Sequence, residues 1–209
     1  MGRAKHKRKA KKIYSVIVDG QTEVWYLQMM KRHENLPRID VKPELPKKKK
    51  LAEQFKTVLS NAIDYDKVIW VLDLDTIIKE TTQVKKGQKS SLQLFREYLS
   101  KLKRYKNVEV IVNTPCLEFW FLLHFSATGK YFSTCEPVEK QLKQLHLVDY
   151  EKTEKYFKKY NDDIYLKLKA LQRDACENAK RLGAFNIEDC TVAKSEMYKL
   201  LEVLEVMKS

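Results

Sequence analysis

The chain has 209 residues, enough for one sizeable core, and its 44% apolar share with only five glycines and five prolines excludes a disordered or loop-dominated chain. No run nears the roughly 18 apolar residues of a membrane span, and the basic start leads into no apolar signal segment, so a cytoplasmic location without membrane contact is expected. Forty-one Lys and Arg against 28 Asp and Glu leave a net charge of +13, which favours a polyanionic partner such as DNA or RNA.

In chain order, residues 1–12 carry Arg3, Lys5, Lys7, Arg8, Lys9, Lys11 and Lys12 without apolar periodicity. They read as a flexible basic tail, serving either a polyanion or solubility. Ile13 to Val18 is β-branched and long enough for a central strand. Gly20 and Gln21 turn the chain, and Thr22 is placed to cap a helix carrying Val24, Tyr26, Leu27 and Met30 on one face, fading near His33. Ile39 to Pro43 reads as a short edge strand, followed by the block Lys47 to Lys50 and a helix from Leu51 to Ala62. Val68 to Leu72 is a second buried strand.

After Asp75 the composition turns polar through Lys79 to Ser90, which predicts a mobile loop. Leu92 to Tyr105 returns to helical spacing, and Val108 to Val112 makes a third strand. Thr114 and Pro115 then look like a helix cap and first turn. Leu117 to Phe125 is apolar nearly all round, so that helix should be buried. The rest is helical in character, near Val138 to Leu145, Thr153 to Phe157, Ile164 to Leu182 and Ala193 to Met207. The expected organisation is the basic tail, an α/β core over 13–125 with a mainly parallel sheet, and a mainly helical extension over 126–209 packed on it. Cys116, Cys135, Cys176 and Cys190 form no CxxC pair, and free, mostly buried thiols are expected.

Chemistry concentrates at two strand ends. Asp73 and Asp75, two apart, would share one face of an ideal strand, and like charges so close repel unless a cation or proton sits between them. Magnesium takes oxygen ligands and keeps exchangeable waters that phosphate oxygens can replace. Asp19 ends the first strand, where the topology lets it face Asp73, and Gly20 after it permits a turn or close backbone approach. Glu23 is a candidate ligand or general base, or a first-turn acid favoured by the helix dipole. Glu118 lies among apolar neighbours and must find a metal, a base, backbone donors or a salt bridge. His124 reads as a packed histidine with one hydrogen bond. Lys85, Lys86, Lys89 and Lys130 are candidates for phosphate contact, or plain surface lysines. Phosphate-loop, nucleophile-elbow and dinucleotide fingerprints are missing.

With these residues named, the chain resembles the RloB family. Val18-Asp19-Gly20-Gln21-Thr22-Glu23-Val24-Trp25-Tyr26 is similar to its EGxTExxY block, and Asp73-Leu74-Asp75 to its DxD block. Thr114-Pro115-Cys116-Leu117-Glu118-Phe119-Trp120-Phe121-Leu122-Leu123-His124-Phe125 is similar to a third, more distinctive block ending in LLHF. The resemblance implies a Toprim-like metal-binding core, Mg2+ or Mn2+ as cofactor, and an ATPase partner in antiviral defence. It places Asp19 where the family usually has glutamate and makes Asp73 and Asp75 the metal pair. Ile77 stands where some Toprim runs carry a third acid.

The reading that follows is a metal-dependent nuclease hydrolysing phosphodiester bonds, with Asp19, Glu23, Asp73 and Asp75 in the catalytic site and Asp19, Asp73 and Asp75 on the metal. Gly20, Glu118 and His124 would support it. The competing reading is a non-catalytic nucleic-acid-binding or adaptor subunit of an ATPase-containing complex. A homo-oligomer fits either.

Overall fold

A computed structural model describes residues 12–36, 39–45, 50–83 and 87–206. Most of the basic tail, Lys47 to Lys49, Lys85 and Lys86 therefore lie outside the described residues.

Five strands form one sheet in the order β2-β1-β3-β4-β5. The β-branched runs become β1 (Lys12–Ile17), β3 (Lys67–Asp73) and β4 (Val108–Thr114), with β2 (Ile39–Glu44) at one edge. The first four strands are parallel neighbours. Edge placement lets Pro43 sit in β2, because one side of that strand needs no ladder donor. The other edge is β5 (Lys194–Ser195), antiparallel to β4. The fold is therefore mixed α/β around a mostly parallel sheet, as the strand-and-helix alternation predicts.

Side chains alternate across β3 and divide the core in two. Ile69 and Val71 join α1 (Gln21–His33) and α5 (Leu117–Leu123) on one face. Val68, Trp70 and Leu72 join α2 (Leu51–Asp64), α3 (Leu74–Thr82) and α4 (Ser91–Leu102) on the other. The seven residues of α5 are all buried, because α6 (Cys135–Leu145) and α9 (Gln172–Leu182) pack on it as well as β4 and β5. Two short helices, α7 (Glu154–Phe157) and α8 (Ile164–Lys169), close over α1, and α10 (Met197–Val203) packs beside β4 and α9. Among the described residues no helix is long and apolar enough to cross a membrane.

Four local expectations are corrected. The stretch after Asp75 is not simply a loop: Leu74 and Ile77 are buried at helical spacing, and α3 runs to Thr82. The continuous helix expected over Ile164 to Leu182 is broken into α8 and α9. Thr22 does not cap α1; Gly20 holds that position and the Thr22 hydroxyl donates to Glu23 Oε2 at 3.0 Å. Thr114 ends β4, a cis bond joins it to Pro115, and Cys116 becomes the cap of α5.

Candidate metal centre

Parallel strands in register deliver their carboxyl ends to one edge, and here the ends carry acids. Ile17 pairs with Trp70, so Asp19, two residues on, arrives beside the end of β3. The Asp73 backbone N–H donates to Asp19 Oδ2 at 3.3 Å, which ties the two strand tips together. Glu23 reaches the same point from the first turn of α1 and is only 4% exposed. One oxygen from each of Asp19, Glu23 and Asp73 lies within 4.8 Å of the others, a spacing that a single cation can bridge.

Gly20 makes the convergence geometrically feasible. Its φ of −132° is ordinary extended backbone, so its value is not left-handed freedom. A Cβ at this position would run into the Glu23 carboxylate, and only glycine lets the side chain fold back so close.

The electrostatics are unfavourable as they stand. Burial, then Asp19, then Glu118, push the Glu23 carboxyl up to about 8. Burial also raises Asp73 well above the ordinary carboxylate range, with Asp19, Glu23 and Glu118 adding to it. Glu23, Asp73 and Asp75 form no ion pair with any lysine, arginine or histidine among the described residues. Crowded, buried carboxylates lacking a cation hold protons until one arrives.

Asp75 stands apart from the trio. Because β3 ends at Asp73 and α3 begins at Leu74, it is a first-turn helix residue and not a strand neighbour of Asp73. The Asp75 N–H donates to the Pro115 carbonyl at 3.1 Å. Its carboxylate accepts from the Cys135 N–H at 3.2 Å and from the Thr76 hydroxyl at 3.4 Å. Burial raises its pKa, with those donors opposing. Asp75 still lines the same cavity of about 210 Å³ as Asp19, Glu23 and Asp73, at the wall shared with Thr76, Cys116, Cys135 and Lys152.

Glu118 is 1% exposed and finds its partners within the protein. Tyr150 donates its hydroxyl to Oε1 at 2.7 Å, and the Lys152 ammonium lies 2.9 Å from the same oxygen. Lys152 also pairs with Glu139 at 2.8 Å. Burial works against its charge, but Glu118 and Glu139 outweigh that and raise its pKa. His124 is buried, and its Nδ1–H donates to the Trp120 carbonyl at 2.9 Å. Burial lowers it to about 4, so the ring stays neutral and serves packing.

Of the described lysine candidates, Lys89 and Lys130 do not line this cavity. Lys89 is exposed and paired with Glu97 of α4, while Lys130 lies over the Phe132 ring at 5.2 Å. Lys85 and Lys86 lie outside the described residues. The free-thiol expectation is corrected for one pair: Cys116 and Cys135 form a disulfide, with Cα atoms 5.7 Å apart, while Cys176 and Cys190 are free. A spacing of 19 residues says nothing of this; the turn of chain between α5 and α6 brings the sulfurs together.

Sequence reasoning also missed Asn113. Its Nδ2 donates to Asp73 Oδ1 at 3.3 Å, and its Oδ1 accepts from the Ser195 hydroxyl at 2.7 Å. The register pairs Asn113 with both Asp73 and Ser195, so β5 orients the acid through β4. A polar residue directly after the apolar run Val110 to Val112, at a strand end like Asp73, was the available signal.

The sequence matches the family model described as RloB-like protein over residues 14–204. The chain belongs to the RloB-like family. No curated protein and no solved structure matches it. In this RloB-like chain the matched span contains every acid of the cavity as well as Lys152 and the disulfide.

Proposed function

We propose that this cavity is the active site of a divalent-metal-dependent nuclease, with DNA or RNA as substrate. The observation that carries the reading is the convergence of Asp19, Glu23 and Asp73 oxygens within 4.8 Å. An all-carboxylate donor set fits a hard cation such as Mg2+ or Mn2+. Asp19, Glu23 and Asp73 would hold it, and the bound cation supplies a Lewis acid for a phosphate oxygen and acidifies water.

The chain's own residues divide the remaining work. Asn113 fixes the rotamer of Asp73, and the backbone N–H of Asp73 fixes Asp19. Thr22 occupies Glu23 Oε2, which leaves Oε1 as the oxygen to exchange a proton. Held near 8 in the metal-free site, the Glu23 carboxyl would give up its proton as the cation arrives. Asp75 borders a second, wider depression of about 490 Å³ with Thr76, Lys79, Ser133 and Thr134, room for a strand to continue beyond the acids. The parallel sheet with acids at adjacent strand tips supports a Toprim-like core. The family resemblance extends the proposal to antiviral defence beside an ATPase.

The test is cleavage of end-labelled DNA and RNA by the purified chain with Mn2+, with Mg2+ and with chelator. Cleavage should require the cation and vanish in Asp73→Asn while circular dichroism stays unchanged. Tight nucleic-acid binding with no metal-dependent cleavage, unaltered by Asp73→Asn, overturns the nuclease reading and favours the adaptor.

A further inference from the structure

A second group of metal-ligating atoms lies against the first. Cys116, Glu118 and Cys135 each place one ligand atom within 4.8 Å of the others. Both cysteines line the carboxylate cavity, Cys116 as the cap of α5 and Cys135 in the first turn of α6. As a disulfide the pair offers no thiolate, and one contact is then unexplained. Glu118 Oε2 lies 2.8 Å from Cys135 Sγ. A disulfide sulfur carries no proton, so this contact gives the buried carboxylate oxygen no hydrogen bond. Burying an oxygen of a 1%-exposed carboxylate against such an atom is costly. The oxygen is aimed at the sulfur pair while Oε1 alone takes both Tyr150 and Lys152.

We propose that Cys116 and Cys135 also exist as a dithiol, and that the reduced pair with Glu118 forms a separate site for a thiophilic divalent cation of the Zn2+ class. A dithiol or phosphine reductant breaks the Sγ–Sγ bond by supplying two electrons, and two protons from solvent complete the thiols. The dithiol becomes a disulfide, or the phosphine takes oxygen from water and becomes its oxide. Cation binding then displaces both thiol protons to water. Charge decides the valence: two thiolates and Glu118 carry three negative charges, and a divalent cation with the Lys152 ammonium carries three positive ones. Lys152 Nζ already lies 3.7 Å from Cys135 Sγ, and at 40% exposure, with Glu139 as second partner, it has room to give way without leaving the site.

Ligand chemistry separates the two sites. Thiolates select soft or borderline cations, and the oxygen-only trio of Asp19, Glu23 and Asp73 selects hard ones. The sulfur site also touches the carboxylate site, because the Cys135 N–H donates to Asp75. The proposal stands on Cys116, Glu118 and Cys135 and does not require phosphodiester cleavage.

The experiment is an anaerobic Co2+ titration of the full chain after phosphine reduction, followed by sulfur-to-cobalt charge-transfer absorbance. The band is expected in the reduced wild type and in Asp73→Asn, and lost in the oxidised wild type, Cys116→Ser and Cys135→Ser. Glu118→Gln should weaken Co2+ binding at least about ten-fold, with circular dichroism confirming its fold; the cysteine variants decide the matter if it does not fold. A reduced wild type without the band overturns the site. So does a band that survives in the double variant Cys116→Ser/Cys135→Ser, since Cys176 or Cys190 would then be the ligand. Loss of the band in Asp73→Asn would mean that the sulfur ligands bind Co2+ only together with the carboxylate centre, and overturn the separate site.

Discussion

Glu23 and Glu118 each stand in the first turn of a helix that follows a parallel strand, and both are buried, at 4% and 1% exposure. Their surroundings differ in one respect. Glu118 receives an ammonium and a phenol from the loop after α6, Lys152 and Tyr150. Glu23 receives the Thr22 hydroxyl and, among the described residues, no ammonium, and it shares its space with Asp19 and Asp73. Burial of a carboxylate therefore does not by itself mark a metal ligand. The protein furnishes one glutamate with its own cation and leaves the other among like charges, which is the reason the proposed cation is assigned to the second.

Removing the internal cation should break this comparison with the largest effect on stability. Lys152→Met leaves Glu118 buried with no positive partner and should cost about 3–5 kcal/mol. Urea denaturation is the measurement, and adding Glu118→Gln to Lys152→Met should recover most of the loss. A near-neutral Lys152→Met would mean that Tyr150 alone satisfies Glu118, and the contrast with Glu23 would dissolve.

The next effect is at Glu23 and depends on pH. An unfolded glutamate ionises near 4.5 and folded Glu23 near 8. Between those values the unfolded chain has lost a proton that the folded chain keeps, so stability falls as pH rises and levels off above about 8. Glu23→Gln should remove that decline and raise the stability of the metal-free protein by roughly 2–4 kcal/mol at about pH 8, with little change at about pH 4. Thermal melts across pH test it. Mn2+ should restore the wild type in the same range, with a larger rise in Tm at about pH 8 than at about pH 5, because the ligands must deprotonate to bind.

A smaller effect should come from the residue that aims Asp73. Asn113→Ala removes the amide at Oδ1 and should weaken Mn2+ about 10–100-fold, the usual cost of losing an outer-shell partner. Calorimetric titration reads this directly. Unchanged Mn2+ affinity would mean that Asp73 needs no orienting, or holds no metal.

These residues also show where sequence reasoning reaches and where it stops. Asp19 and Asp73 were legible because a β-branched run fixes a strand, and a strand fixes where its last side chain emerges. Asp75 was misplaced because a DxD reads as strand until the Leu74, Ile77 and Ile78 spacing is weighed as a helix. The two-residue β5 has no apolar alternation to detect, so the Ser195–Asn113 contact behind Asp73 was invisible. Lys152 lies 34 residues beyond Glu118 in a loop, and only the packing of α6 on α5 brings the two together. The partner of a buried charge is a tertiary fact, and the chain announces only that one is needed.

Gly20→Ala should give the smallest change in stability and the sharpest separation of position from presence. The backbone there is extended, so alanine meets no conformational strain, and its loss as a cap residue is under about 1 kcal/mol. Its methyl meets the far end of the Glu23 side chain, not backbone, so the carboxylate is free to swing aside. Every acid of the trio then remains while one of them is displaced. Mn2+ affinity should fall at least about ten-fold, as for other losses of ligand alignment, with Tm nearly unchanged. If Gly20→Ala binds Mn2+ like the wild type, Glu23 is not a ligand, and its raised pKa reflects crowding around a site built from Asp19 and Asp73.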